Sequence, residues 1–224
     1  MLKIGHRGAA GYAPENTLAS FQKALDLKVD MIELDVYQCQ SGELIVMHDD
    51  KVDRTTDGSG YVWNKTLQEL KKLKAGQEEK IPTLVEALDL IKKKVPVNIE
   101  LKGENTAKPV SNLINQYKKK GWADKNFIIS SFNHIELQKF KKYQPKINIG
   151  ALICGIPSNY AAAAEKLGAY SINPSLEFIN QKLVDDAHKR DLKVFVWTVN
   201  EKDDIKRIKK MGADGIFSNF PDRI

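Results

Sequence analysis

Eight short apolar runs of strand length, most of them separated by longer stretches with helical periodicity, constrain this chain more than any other feature. The runs are 2–6, 31–36, 97–101, 127–131, 148–152, 170–173, 194–199 and 215–218. Helical spacing of apolar residues is read at 17–27, 83–93, 107–119, 133–142, 159–167, 180–190 and 201–211. Strands that alternate with helices pair in parallel through right-handed crossovers. Eight of them within 224 residues fit a closed (β/α)8 barrel of TIM type, an α/β fold, as a single domain over 1–224.

One further strand breaks the alternation. Residues 43–48 read as a strand, but the gap from 31–36 is too short for a crossover helix, so the two must run antiparallel. Ser41-Gly42 reads as a two-residue hairpin turn, with the glycine supplying positive φ. That register sets Gln40 opposite Glu43 and Asp35 opposite His48. The polar stretch 49–81, which contains Gly58, Gly60 and Gly76, reads as a small insertion with one short helix near 67–73. Pro82-Thr83 then opens the next helix.

The chain is 42% hydrophobic and 29% charged, which suits one sizeable core in a water-soluble protein. Mean hydropathy is −0.41, and no apolar run approaches the ~20 residues that span a bilayer. No stable membrane insertion is expected. The first strand begins almost at Met1 and leaves no space for a secretory leader, so the expected location is cytoplasmic. Cys39 and Cys154 have no cysteine or histidine at zinc-ligand spacing and read as free thiols. Net charge is +6. The lysine clusters at 118–120, 141–142 and 209–210 fall late in helical stretches, where cations meet the negative end of the helix dipole. Without interleaved aromatics or a nucleic-acid motif, they read as solvated helix ends, and no nucleic-acid partner is expected. The positive field favours anionic small molecules or membrane surfaces.

Barrel enzymes carry their sites where strands end at the C-terminal face, and the polar residues gather there. The first strand ends in His6-Arg7-Gly8. Glu33 and Asp35 are two apart and share a face of the second strand. Asn98, Glu100 and Lys102 do the same on the third, as do Phe195 and Trp197 near the end of the seventh. Three carboxylates inside one barrel repel each other and lose hydration, and a divalent cation resolves both costs. All-oxygen ligands favour Mg2+ or Ca2+ over zinc. A cation with Arg7 and Lys102 suits a phosphate. Imidazole ordinarily titrates near neutrality, so His6 and His48 suit general acid and base roles in phosphodiester cleavage.

The ordered set His6-Arg7-Gly8, Pro14-Glu15-Asn16-Thr17, Glu33-Leu34-Asp35-Val36, His48-Asp49, Asp53-Arg54-Thr55-Thr56 and Ile99-Glu100-Leu101-Lys102 resembles the glycerophosphodiester phosphodiesterase family. The likeness continues through Ser130-Ser131-Phe132, Trp197-Thr198-Val199-Asn200 and Gly212-Ala213-Asp214-Gly215-Ile216, and it spans essentially the whole chain. It implies a barrel with a small insertion after the His48 hairpin, where 49–81 falls. It also implies hydrolysis of glycerophosphodiesters to sn-glycerol 3-phosphate and an alcohol. By the same likeness Glu33, Asp35 and Glu100 bind one divalent cation, and His6 and His48 form the acid/base pair. Arg7 and Lys102 hold phosphate, Trp197 packs on the glycerol part, and Asn16 orients the first loop beside the substrate. Two alternatives stay open. One is lysophospholipase D action on lysolipids, which needs an apolar groove such as Tyr61, Val62, Trp63, Ile153 and Ile156 could furnish. The other is a non-catalytic phosphate-binding barrel.

Overall fold

A computed structural model of the chain describes residues 1–76 and 78–224. In chain order the elements are β1 Leu2–Gly5, α1 Leu18–Asp26, β2 Met31–Gln38, β3 Leu44–Val46, α2 Leu67–Leu70, β4 Lys74–Ala75, β5 Glu79–Lys80, α3 Leu84–Ile91, β6 Val97–Leu101, α4 Ala107–Lys119, β7 Phe127–Ser131, α5 His134–Tyr143, β8 Asn148–Ile153, α6 Ala162–Lys166, β9 Ser171–Pro174, α7 Gln181–Lys189, β10 Lys193–Val196, α8 Lys202–Lys210 and β11 Gly215–Ser218. Side chains close the first turn of several helices: Thr17 caps α1, Asn133 caps α5 and Asn180 caps α7. Thr83 and Glu86 form a reciprocal capping box that starts α3 directly after Pro82.

Eight strands close a parallel barrel in the order β1-β2-β6-β7-β8-β9-β10-β11, with β11 returning to β1 at Leu2↔Gly215. Helices cover the outside. Strands in such a barrel are buried on both faces, which is why they read as apolar runs. The outward residues of β2, β6 and β7 join α1, α3, α4 and α5 in one apolar cluster. A second cluster lies under α6, α7 and α8. Inside the barrel, Ile4, Met31, Ile128, Phe195 and Phe217 form an apolar plug. Two residues further along the same strand faces, the lining turns polar: His6, Glu33, Ser130 and Trp197. The plug is therefore the floor on which a polar rim stands.

The β2–β3 hairpin differs from the expected register by one residue. Val36 pairs with Val46, Tyr37 with Ile45 and Gln38 with Leu44, so Asp35 faces Met47, whose N–H donates to the Asp35 carbonyl at 3.0 Å. The loop holds three residues rather than two. The Gly42 N–H donates to the Cys39 carbonyl at 3.0 Å with Gly42 at φ +100°, and Ser41 Oγ donates to Glu43 Oε2 at 2.5 Å. His48 consequently lies past the end of β3, not within the ladder. Several element bounds also differ. β10 stops at Val196 and only an isolated bridge, Ser175 to Trp197, continues it. α6 begins at Ala162 because a turn at Pro157–Tyr160 precedes it. α2 ends at Leu70, with Lys71 as its C-cap.

The described residues of 49–81 pack against the β2–β3 hairpin. Val52, Val62, Leu70, Ala75 and Ile81 pack with Tyr37, Cys39, Ile45 and Met47 in a separate apolar cluster. Among the described residues no helix is long and apolar enough to cross a membrane.

Candidate active site and metal centre

β1 delivers His6 and Arg7 to the rim and then turns sharply. Arg7 has φ +51° and Gly8 φ +87°. A Cβ on Gly8 would stand 2.3 Å from Ser20 Oγ, so only glycine lets this loop pass so close to α1. The bend aims the Arg7 N–H at Glu33 Oε2, 2.7 Å away. The Arg7 guanidinium reaches Glu15 Oε1 at 2.9 Å and Asp35 Oδ2 at 3.5 Å.

Glu33, Asp35 and Glu100 are all buried, and one oxygen from each lies within 4.8 Å of the others. The β2–β6 register makes Asp35 the direct neighbour of Glu100. Burial, followed by the charges of Asp35 and Glu100, holds the Glu33 carboxyl well above the usual carboxylate range. Burial and then Asp35 push Glu100 up to about 8. Lys102 is the main counter-charge on this side, with Nζ 2.9 Å from Glu100 Oε1 and 4.0 Å from Asp35 Oδ1. Asp35 Oδ1 is buried without a hydrogen-bond partner among the described residues. Three clustered carboxylates answered by two cations, with an orphaned oxygen among them, fit one hard divalent ion bound by oxygen.

The two histidines line one cavity with Glu33 and Glu100. His6 Nδ1 is 2.7 Å from Asn219 Oδ1. Since that oxygen only accepts, Nδ1 carries the proton and Nε2 is left bare. Burial, then the Arg7 charge, lowers the His6 pKa to about 4. His48 Nδ1 lies 2.5 Å from Asp49 Oδ1, and Lys102 Nζ is 3.2 Å from its Nε2. Asp49 is itself gripped by Arg54, Nε to Oδ2 at 2.6 Å, and this bond is the largest of the effects that hold its carboxyl below the usual range.

Trp197 is half-buried. Its indole N–H donates to the Asn173 carbonyl at 2.8 Å, and it meets Phe132 edge-on at 5.3 Å. Both rings line one cavity with His6, His48, Glu100 and Ser130. Asn16 is buried at φ +58°. Its side chain donates to Asp35 Oδ2 at 2.8 Å and accepts the Asp35 N–H at 3.3 Å, so it touches a candidate metal ligand rather than open space. Of the groove residues considered for a lysolipid, Val62 is fully buried and unavailable, whereas Tyr61, Trp63 and Ile156 are exposed. Asn219, Phe132 and the Glu15–Arg54 pair are parts of the site that sequence reasoning left without a role. Asn219 directly follows the last barrel strand, and that position is the one signal that points to it.

The chain matches the model of the Glycerophosphoryl diester phosphodiesterase family over residues 6–223. It is 42% identical to a glycerophosphodiester phosphodiesterase of Caldanaerobacter subterraneus, covering 100% of this chain and 96% of that protein. It is 34% identical to a glycerophosphodiester phosphodiesterase of Bacillus subtilis, covering 99% and 84%. Among solved structures it superposes with TM-score 0.91 on an Oleispira antarctica phosphodiesterase in complex with the product sn-glycerol 3-phosphate, at 34% identity over 99% of this chain and 94% of that one.

Proposed function

Because the chain belongs to the glycerophosphoryl diester phosphodiesterase family, we propose that its barrel rim hydrolyses glycerophosphodiesters to sn-glycerol 3-phosphate and an alcohol, with one divalent cation, Mg2+ or Ca2+, held by Glu33, Asp35 and Glu100. The observation that carries this reading is the junction of three buried carboxylates with Arg7, Lys102 and two histidines at one end of the barrel. When bound, the cation supplies Lewis-acid polarisation of a phosphoryl oxygen. Arg7 and Lys102 offset the negative charge that grows on the phosphoryl oxygens. Trp197 and Phe132 pack against the glycerol arm, and Asn16 fixes the Asp35 carboxylate.

His6 is the base of the first step. Its bare Nε2 takes the proton of the attacking hydroxyl, either the glycerol 2-hydroxyl or water, as the new O–P bond forms. His48 is the acid. Asp49 accepts from Nδ1 and orients the ring, and Nε2–H gives its proton to the alcohol oxygen as the P–O bond breaks. Lys102 now donates to Nε2, so the proton enters there once Lys102 turns to the phosphate. If the glycerol hydroxyl attacks, a cyclic phosphate results; water then opens it with the two histidines exchanging roles.

The test is turnover of glycerophosphodiesters with Mg2+ or Ca2+, read by coupled detection of sn-glycerol 3-phosphate. We expect release of that product, loss of turnover in excess EDTA, and recovery when the cation is returned. Full turnover in EDTA would remove the cation from the scheme, and glycerol with an alkyl phosphate as products would reverse the cleaved bond.

A further inference from the structure

We propose that the base of the barrel, the end opposite the candidate active site, docks on an anionic phospholipid bilayer. The proposal is independent of the hydrolase reading above. The helices run against the strands they follow, so their C-terminal ends meet the starts of the next strands, at the far end from the rim. Hydrogen bonds tie that end together. The Lys3 N–H donates to Asp30 Oδ2 at 2.8 Å, the Leu2 N–H to the Asp214 carbonyl at 2.7 Å, and the Lys193 N–H to the Tyr170 carbonyl at 3.0 Å. The neighbouring strands β6, β7 and β8 are entered from the ends of α3, α4 and α5. Lys93 Nζ reaches the Gly121 carbonyl at 3.3 Å, and Gln144 Nε2 donates to Asn115 Oδ1 at 2.8 Å, so these three entries form one surface.

The charge of that surface exceeds the charge of the molecule. Residues 92–96, 118–126 and 141–147 hold ten lysines and a single carboxylate, Asp124. Lys118 takes that carboxylate at 2.6 Å, and no other of the ten enters an ion pair among the described residues. Asp89, in the last turn of α3, accepts the Tyr117 hydroxyl at 2.8 Å. Lys118 and Lys141 are half-buried, and the other eight lysines are exposed. Ten cations less one carboxylate give these segments a net +9, while the whole chain carries +6, so the remainder, rim included, sums to −3. Lys166, Lys189 and Lys209-Lys210 continue the array at the ends of α6, α7 and α8.

Helix termination alone does not account for these lysines. Lys92 and Lys93 follow α3 at φ +50° and +62°. Glycine or asparagine holds that left-handed backbone with less strain, and Gly121 does so after α4 at φ +85°. The end of α3 instead sets two lysines side by side in this conformation. Tyr143 is 49% exposed between Lys142 and Lys146, and an amphipathic ring among cations suits the headgroup layer of a bilayer. The three segments contain no arginine. Lysine is a compact charge on a flexible stem, which suits the diffuse charge of a headgroup plane, whereas nucleic-acid recognition draws on arginine forks and stacked aromatics. With the base on the bilayer the mouth of the barrel faces solvent, so docking leaves the entry of a water-soluble diester free.

The experiment is flotation of the full chain with vesicles of phosphatidylcholine alone and of phosphatidylcholine mixed with phosphatidylglycerol, at low and at high salt. Each lysine close to an anionic surface is worth roughly fivefold in partitioning, so the mixed vesicles should bind the protein more than about tenfold better. High salt should release it. Lys119→Glu with Lys142→Glu and Lys146→Glu should lower binding to the mixed vesicles by more than about tenfold. Lys108→Glu with Lys182→Glu and Lys202→Glu makes the same change in net charge on exposed residues at the opposite ends of the helices, and should leave most of the binding in place. Should the first variant fail to fold, glutamine at the same three positions decides the comparison. Equal partition to the two vesicle types, binding that high salt or the base variant leaves intact, or equal loss in the two triple variants would each overturn the proposal. So would tighter binding to duplex DNA than to the mixed vesicles at the same salt, which would assign the base to nucleic acid.

Discussion

The two histidines differ in what holds the Nδ1 proton, and that difference sets their expected behaviour. His6 gives it to a neutral amide oxygen within a buried setting beside Arg7, whereas His48 faces a carboxylate at half-exposure. His6→Ala and His48→Ala should each lower kcat by about 10²–10⁴-fold, the usual worth of one acid or base, with circular dichroism unchanged. Near-normal turnover in either variant would remove that histidine from the scheme. In a titration of the histidine ring protons, His6 should remain neutral down to about pH 4. The folded state then takes up this proton later than the unfolded chain, so His6 removes stability as pH falls from about 6.5 to 4. Arg7→Gln should raise the His6 midpoint, because the Arg7 charge helps to lower it. The identities of His6, Arg7, Glu33, Asp35, His48, Glu100 and Lys102 were legible because each lies within a strand or just past the end of one. Their partners were harder to see: Asn219 lies 213 positions from His6, and no local pattern links two residues at opposite ends of a chain. Only barrel closure through β11 and β1 brings them together.

The segment 49–81 does more than cover the hairpin, because Arg54 reaches back from it to two loops of the site. Its guanidinium binds Glu15 through Nη1 at 3.0 Å and Nη2 at 2.7 Å, and Asp49 through Nε at 2.6 Å and Nη2 at 3.0 Å. Glu15 in turn holds Arg7, and Asp49 holds His48. Arg54 is half-exposed, and such ion pairs contribute at most about 1 kcal/mol, so its consequence is placement more than stability. Arg54→Ala should lower kcat roughly tenfold with a small change in Tm. Arg54→Lys should not restore it, since an ammonium cannot grip two carboxylates in fork geometry. Steady-state kinetics beside a thermal melt checks this, and equal activity in all three proteins would leave Arg54 without a positioning role. The barrel strands were legible from their apolar runs, several to the residue. The hairpin register was not, because Ser41-Gly42 suits a two-residue turn while a three-residue loop from Cys39 to Glu43 satisfies the backbone better. A single-residue slip was enough to misplace the partner of Asp35.

At the scale of the whole molecule, the barrel rim stores a charge conflict that should be readable in stability. Burial and mutual repulsion raise the carboxyls of Glu33 and Glu100, the latter to about 8. A carboxyl with a raised folded pKa binds its proton more tightly folded than unfolded. Without a cation, the protein should therefore lose stability as pH rises from about 4.5 toward 8. A divalent cation replaces those protons and stabilises the ionised cluster, so its effect should grow over the same range. At a hundredfold excess over Kd, binding adds about 2.7 kcal/mol, which for a chain of this size raises Tm by about 5–10 °C. The measurement is a thermal melt at pH 5 and pH 8, in EDTA and in saturating Mg2+ or Ca2+. The rise in Tm on adding the cation should be clearly larger at pH 8, and Glu100→Gln should reduce it by weakening the site while easing the repulsion that destabilises the EDTA form. A rise that is equal at both pH values, or one that Glu100→Gln leaves intact, would place the cation elsewhere than on these three carboxylates.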